Sequence, residues 1–138
     1  MSVDLQAYLA TLPVLAAHFG TALAVLALGI GLYVLITPYN ELSLMRRHKT
    51  AAAILLAGAV IGMALPVAAS LQYALRPFDI VFYGVIAVVV QIVAYFLIAL
   101  VFRLSPSRLG EGEPAPAIGV ASAQIAVGLL NAGALSTP

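Results

Sequence analysis

The sequence predicts an all-α membrane protein whose four transmembrane helices are arranged as two repeated helical hairpins. Hydrophobic residues make up 64% of the 138 residues, and charged residues only 8%. A soluble domain carries about 25% charged residues and could not bury so much apolar surface in a short chain. Four long apolar stretches contain no Asp, Glu, Lys or Arg: 14–36, 51–71, 80–102 and 115–135. A single membrane domain therefore fills the chain.

Each stretch has the length of a membrane-spanning helix. A hydrocarbon layer of about 30 Å requires ~20 residues at 1.5 Å per residue, and only internal hydrogen bonding satisfies the backbone there. We interpret the first stretch as a retained span because residues 1–13 contain no Lys or Arg and because it is longer than a signal-peptide core of about 7–15 residues. Residues 1–13 are expected to precede the membrane.

The last three stretches differ in how readily they should insert. Pro66 should kink the second helix and free a carbonyl that another group must satisfy. The third helix is rich in large apolar side chains and should insert readily. The fourth is diluted by Gly and Ala and carries Gln124 and Asn131, so we expect it to insert as a hairpin with the third.

The basic residues predict the orientation. Five of the six lie in the connections 37–50 and 103–114: Arg46, Arg47, Lys49, Arg103 and Arg108. The connection 72–79 holds only Arg76. Short cytoplasmic loops carry the excess of Lys and Arg, so both termini are predicted to be periplasmic.

The second half of the chain repeats the first, as hairpins of about 14–71 and 80–135. Ile36-Thr37-Pro38 recurs as Leu104-Ser105-Pro106, and Ala57, Ile61 and Leu65 align with Ala121, Ile125 and Leu129. Both hairpins have the same orientation, which predicts a repeat axis along the membrane normal.

The first cytoplasmic connection begins with a helix-start signal. Thr37 followed by Pro38 matches an N-cap and a first helical residue, and Tyr39 and Glu41 continue this cytoplasmic corner. A short interfacial helix would place three basic residues against anionic lipid headgroups: Arg46, Arg47 and Lys49. The alternative is a solvated basic loop.

Small and polar residues within the spans predict helix packing. The second helix contains Gly58-x-x-x-Gly62, and Gln91 and Tyr95 lie one turn apart on the third. One face of the fourth helix carries Ala117, Ala121, Gln124, Gly128 and Asn131. Such faces let backbones approach and pair amides across helices, so we expect Gln91 and Tyr95 to bond to the fourth helix through Gln124 or to a neighbouring subunit. The alternative is a polar pathway.

No catalytic constellation is recognisable. The five acidic residues lie outside the four apolar stretches, and no metal-ligand spacing or nucleophile–base pair occurs. His18, near the outer end of the first span, is interpreted as structural, with proton relay as the alternative. The net charge of +1 argues against nucleic acid. A non-enzyme without cofactor or metal is predicted.

Three segments resemble the YjfL-like family of bacterial inner-membrane proteins (DUF350, UPF0719): TPYNELSLMRRHKTAAAILLAGAVIGMALPVAASL, the third helix with Asp79, Gln91 and Tyr95, and the ending VGLLNAGAL. The resemblance implies four spans from a doubled hairpin and assigns no activity. The family's motifs map onto Thr37, Pro38, Tyr39, Glu41, Ala53, Gly58, Gly62, Gly128, Asn131 and Ala132. The family usually has an acidic-Gly-Asn turn before the second helix, where this chain has Arg47-His48-Lys49-Thr50.

Two functions fit these features. The first is an oligomeric, non-enzymatic scaffold or anchor in envelope maintenance, with a homo-oligomer, the bilayer and membrane-associated proteins as partners. The alternative is a small oligomeric channel or transporter for an ion or small solute, lined by Gln91, Gln124 and Asn131.

Overall fold

Four helices form the fold. The computed structural model describes residues 2–37, 50–102 and 114–136, and these residues contain α1 (Ser2–Ile36), α2 (Thr50–Tyr73), α3 (Pro77–Val101) and α4 (Pro114–Leu135) and no strand. All four helices are long and apolar enough to cross a membrane. The predicted all-α class with four transmembrane helices is confirmed.

The first helix begins much earlier than the sequence suggests. α1 has 35 residues, and Pro13, which was expected to lie before the span, is inside it. Residues 2–12 are rich in Leu, Ala and other residues that tolerate a helix, and one proline removes a single backbone hydrogen bond. Asp4 therefore lies in the first turn of α1. Asp79 likewise lies in a first turn, that of α3.

α1 and α3 run parallel to each other, and so do α2 and α4. A Cβ atom built on Gly84 would contact Val25, and one on Gly29 would contact Val88, so contacting residues advance together along α1 and α3. Gly58 in the same way faces Ala121 of α4. The α2–α4 contact is the most extensive in the bundle, and α2 packs against all three other helices.

Consecutive helices are antiparallel. Gln91 of α3 bonds to Gln124 of α4, whereas the earlier residue Ala87 bonds to the later residue Asn131. The N-terminal end of α1 and the C-terminal end of α4 therefore lie at the same end of the bundle. The first helices of the two predicted hairpins, α1 and α3, pack together, and so do the second helices, α2 and α4. The repeat itself stays a prediction.

The core divides into two apolar clusters. The larger one is built around the fully buried side chains of Tyr33, Leu55, Met63 and Tyr95. The smaller cluster lies between α1, α2 and α3 and includes Val25, Val67, Ile80 and Val88.

The predicted cytoplasmic corner lies mostly outside the described residues. This applies to Pro38, Tyr39, Glu41, Arg46, Arg47 and Lys49. Thr37 is described and buried, and its hydroxyl donates to the carbonyl of Val34 at 3.1 Å. Its N–H donates to Tyr33 at 3.0 Å, which closes the last turn of α1.

Candidate functional site

The glycines of α2 allow the backbones of α2 and α4 to touch. A Cβ atom on Gly58 would lie 2.5 Å from the Cα of Ala121, closer than real Cβ atoms approach any heavy atom. One turn later, a Cβ atom on Gly62 would lie 2.8 Å from the carbonyl oxygen of Gln124. In a membrane, where lipid is as apolar as the helix surface, such close backbone contact is a main source of helix association.

Gly128 covers the carbonyl that Pro66 leaves without a donor. Pro66 lies inside α2 and has no N–H, so the carbonyl of Gly62, four residues earlier, has no intrahelical partner. A Cβ atom on Gly128 would meet this oxygen and would lie 2.8 Å from the Cα of Gly62. Because glycine carries only a hydrogen in this position, α4 can approach this carbonyl as closely as it does.

An amide pair joins α3 to α4 at the same level. Nε2 of Gln91 donates to the backbone carbonyl of Gln124 at 2.9 Å and to its side-chain Oε1 at 3.0 Å. The two side chains are 0% and 1% exposed. The hydrogen bond that the sequence predicts between these two residues is therefore present. Within the described part of the chain, Oε1 of Gln91 has no hydrogen-bond partner.

Tyr95, one turn after Gln91, has an aromatic partner on α1. Its ring packs edge-on against Tyr33 of α1, with ring centroids 5.0 Å apart and an interplanar angle of 84°. Both tyrosines are almost completely buried, at 0% and 1% exposure. Together, Gln91 and Tyr95 connect α3 to α4 and to α1.

Asn131 and His18 lie toward the end of the bundle that holds the N-terminal end of α1. Asn131 is half-buried, and its Nδ2 donates to the carbonyl of Ala87 at 3.4 Å, a long hydrogen bond. Nδ1 of His18 lies 2.8 Å from the carbonyl of Val14 on its own helix. His18 borders a surface cavity shared with Leu71 and Gln72 and does not join the amide pair.

Two contacts were missed from the sequence. Gly29 and Gly84 form the α1–α3 contact, where added Cβ atoms would lie 2.7 Å and 2.6 Å from valine side chains. An isolated glycine within a helix of large apolar residues was the available signal. The other contact is at Asp79, whose carboxylate accepts the N–H groups of Arg76 at 2.9 Å and Leu75 at 3.1 Å.

A double-mutant cycle tests whether the amide pair holds the bundle together. We expect Gln91→Leu and Gln124→Leu each to lower the free energy of unfolding by about 0.6–2 kcal/mol. The double variant should lose less than the sum, because removing both side-chain amides leaves fewer polar groups unpaired. Unfolding in mixed micelles of increasing SDS content measures the three values, and strict additivity would contradict a direct side-chain bond.

The arrangement is that of a packing core. Close backbone contacts, one buried amide pair and one aromatic pair hold four apolar helices together. Among residues 2–37, 50–102 and 114–136, no three His, Cys, Asp or Glu side chains are placed to hold a metal ion. The fold and this core define an all-α polytopic membrane protein.

The chain belongs to the DUF350 family (Domain of Unknown Function), whose model matches residues 7–135. It is 25% identical over 120 residues to the UPF0719 inner membrane protein YjfL of Escherichia coli strain K12, covering 87% of this chain and 91% of that protein. The YjfL protein of Escherichia coli O157:H7 matches equally. The resemblance predicted from the sequence is confirmed. No solved structure matches the chain.

Proposed function

We propose that this protein is an oligomeric, non-enzymatic scaffold or anchor of the bacterial inner membrane that serves envelope maintenance. The inner-membrane location rests on the YjfL proteins, which are named as inner membrane proteins. The proposed topology, with both termini periplasmic, rests on the charge bias of the connections. The N-terminal end of α1 and the C-terminal end of α4 lie at the same end of the bundle, which is compatible with this topology.

The observation that carries the proposal is the burial of the Gln91–Gln124 pair. These side chains were the best candidates for a polar pathway, yet they are 0% and 1% exposed and bond to each other. Side-chain amides that hydrogen-bond one helix to another support a structural role for the bundle. The lipid-facing sides of α1 and α3 remain broadly apolar and available for contacts between subunits or with membrane-associated proteins.

Chemical cross-linking in native membranes tests the scaffold. We expect dimers or larger homo-oligomers at the expression level of the natural gene, with purified protein in liposomes giving no flux of protons, common cations or small polyamines. Recovery of monomers alone at every cross-linker length would overturn the proposal.

A small oligomeric channel is the second candidate, and one observation favours it. Asn131 is only half-buried. Its side-chain amide could face a pathway formed between subunits.

The variant Asn131→Leu separates the two functions. Under the scaffold proposal, liposomes with either the natural protein or this variant show the same background leak. The control Leu130→Asn adds an amide at the neighbouring position, which is 75% exposed, and leaves Asn131 in place. Flux through the natural protein that disappears in Asn131→Leu would replace the scaffold by the channel.

A further inference from the structure

The N-terminal part of α1 extends beyond the rest of the bundle. Val25 faces Gly84 and Gly29 faces Val88, so each residue of α1 is level with the residue of α3 that comes 59 positions later (84 less 25, 88 less 29). By this register the first residue of α3, Pro77, is level with His18. About 16 residues of α1, or about 24 Å of helix, precede that level.

Tilting cannot bring the whole of α1 into the hydrocarbon layer. Its 35 residues span about 52 Å. A helix tilted by 40°, the upper limit for transmembrane helices, crosses a layer of about 30 Å with about 39 Å of its length. The first turns of α1 therefore lie in the headgroup layer or in water.

A strict heptad pattern runs along this extension and into the membrane. Spacings of four and three residues alternate along what we call the α1 heptad face: Leu5, Leu9, Leu12, Ala16, Phe19 and Leu23. All six are exposed in the isolated chain, with Leu5 at 60%, Leu9 at 53% and Leu12 at 49%. Alternation of this kind is the signature of a coiled-coil contact.

Leu5, Leu9 and Leu12 of the heptad face are exposed and precede the level at which α3 begins, whereas Ala16 and Phe19 border cavities that α3 and α2 also line. A pattern with a 3.5-residue period drifts by about 20° per heptad on a straight α-helix. Continuing the same spacing reaches Leu26 and Ile30, which are partly buried, and then Tyr33, which is fully buried. The pattern thus joins the protein's own core near one end of α1 and has no partner near the other.

Lipid tails and water are poor partners for this part of α1. Leu5 and Leu9 lie within about the first 13 Å of α1, the length that even a tilt of about 40° leaves outside the hydrocarbon layer. Pro13 also removes the hydrogen bond that would tie the extension to the rest of the helix at Leu9. A helical segment this short is marginal in water without a packing partner.

We propose that the α1 heptad face pairs in parallel with the α1 heptad face of a second copy of this chain. Every copy inserted in one orientation presents the same face at the same height, so a two-fold contact brings each leucine of the extension against its counterpart. Asp4 is the only charged residue described before the membrane, and it lies outside the heptad face. The inference rests on the proposed oligomeric scaffold and specifies its interface.

Disulfide trapping tests the interface, since the natural chain has no cysteine. Single cysteines replace Leu5, Leu9 or Leu12 on the heptad face, and Ala7 or Ala10 on the opposite side of α1 as controls. After mild oxidation of native membranes, we expect disulfide-linked dimers at the three heptad positions, at least several-fold above the two controls. Equal trapping on both sides of the helix, or none at Leu5, Leu9 and Leu12, would overturn the interface.

A second variant separates the interface from the scaffold. Leu9→Glu places like charges opposite each other at the two-fold contact and, being acidic, leaves the topology signal of the basic residues unchanged. We expect this variant to insert normally and to give mostly monomers on cross-linking. Oligomers that persist in Leu9→Glu and lack heptad disulfides would retain the scaffold and reject this interface, whereas monomers in the natural protein would reject both.

Discussion

Replacing Tyr95 by alanine should destabilise the bundle more than any other single change considered. Its ring is fully buried and packs edge-on against Tyr33, so truncation leaves a large cavity between α1 and α3. Truncations of buried aromatic side chains cost about 3–5 kcal/mol. We expect Tyr95→Ala to unfold at a markedly lower SDS fraction than the natural protein. Near-ultraviolet circular dichroism monitors the unfolding.

An exposed aromatic residue on the same helix is the matched control. Phe82 is 53% exposed, and Phe82→Ala removes a ring that lipid or detergent replaces readily. We expect its unfolding midpoint to stay close to that of the natural protein. Similar losses in both variants would mean that the Tyr33–Tyr95 contact contributes nothing specific.

A single methyl group on Gly128 should separate α2 from α4. The Cβ atom of Gly128→Ala would meet the backbone of Gly62, which cannot move aside as a flexible side chain can. Overpacking of this kind costs about 1–3 kcal/mol, and the carbonyl of Gly62 would also lose its contact. We expect a lower unfolding midpoint in the same mixed-micelle titration.

Gly133 provides the control for this change on the same helix. No atom lies within 4 Å of a Cβ atom built there, so Gly133→Ala adds no contact. Alanine favours a helix over glycine by about 0.8–1 kcal/mol, and we expect unchanged or slightly raised stability. A Gly128→Ala variant as stable as Gly133→Ala would show that α2 and α4 are not in backbone contact.

Much of the packing core could be predicted from the sequence because it rests on rare residue types. Glycines and amides are exceptional in apolar spans, so Gly58, Gly62, Gln91 and Gln124 were visible as contact residues. Tyr95 was also singled out, but its ring contact with Tyr33 of α1 was not predicted, because the sequence does not show which side chain a residue meets across the bundle. Gly29 and Gly84 were missed because a lone glycine has no local signature of the residue that fills its space.

The point at which α1 begins was another feature that the sequence did not predict. Residues 1–13 were expected to precede the membrane, and no feature of them indicated that the helix of the first span extends back through Pro13 to Ser2. A proline interrupts one backbone bond without ending a helix whose other residues favour it. The local sequence could not decide between these outcomes.

The number of spans and the all-α class followed from the four uncharged apolar stretches, because runs of about 20 residues match helices, which satisfy every backbone group within the segment. Which helices touch was decided by the tertiary structure. Four apolar helices have no hydrophobic reason to prefer one neighbour, so close backbone contacts at Gly58, Gly62 and Gly128 and the Gln91–Gln124 pair select α2 with α4 and α3 with α4.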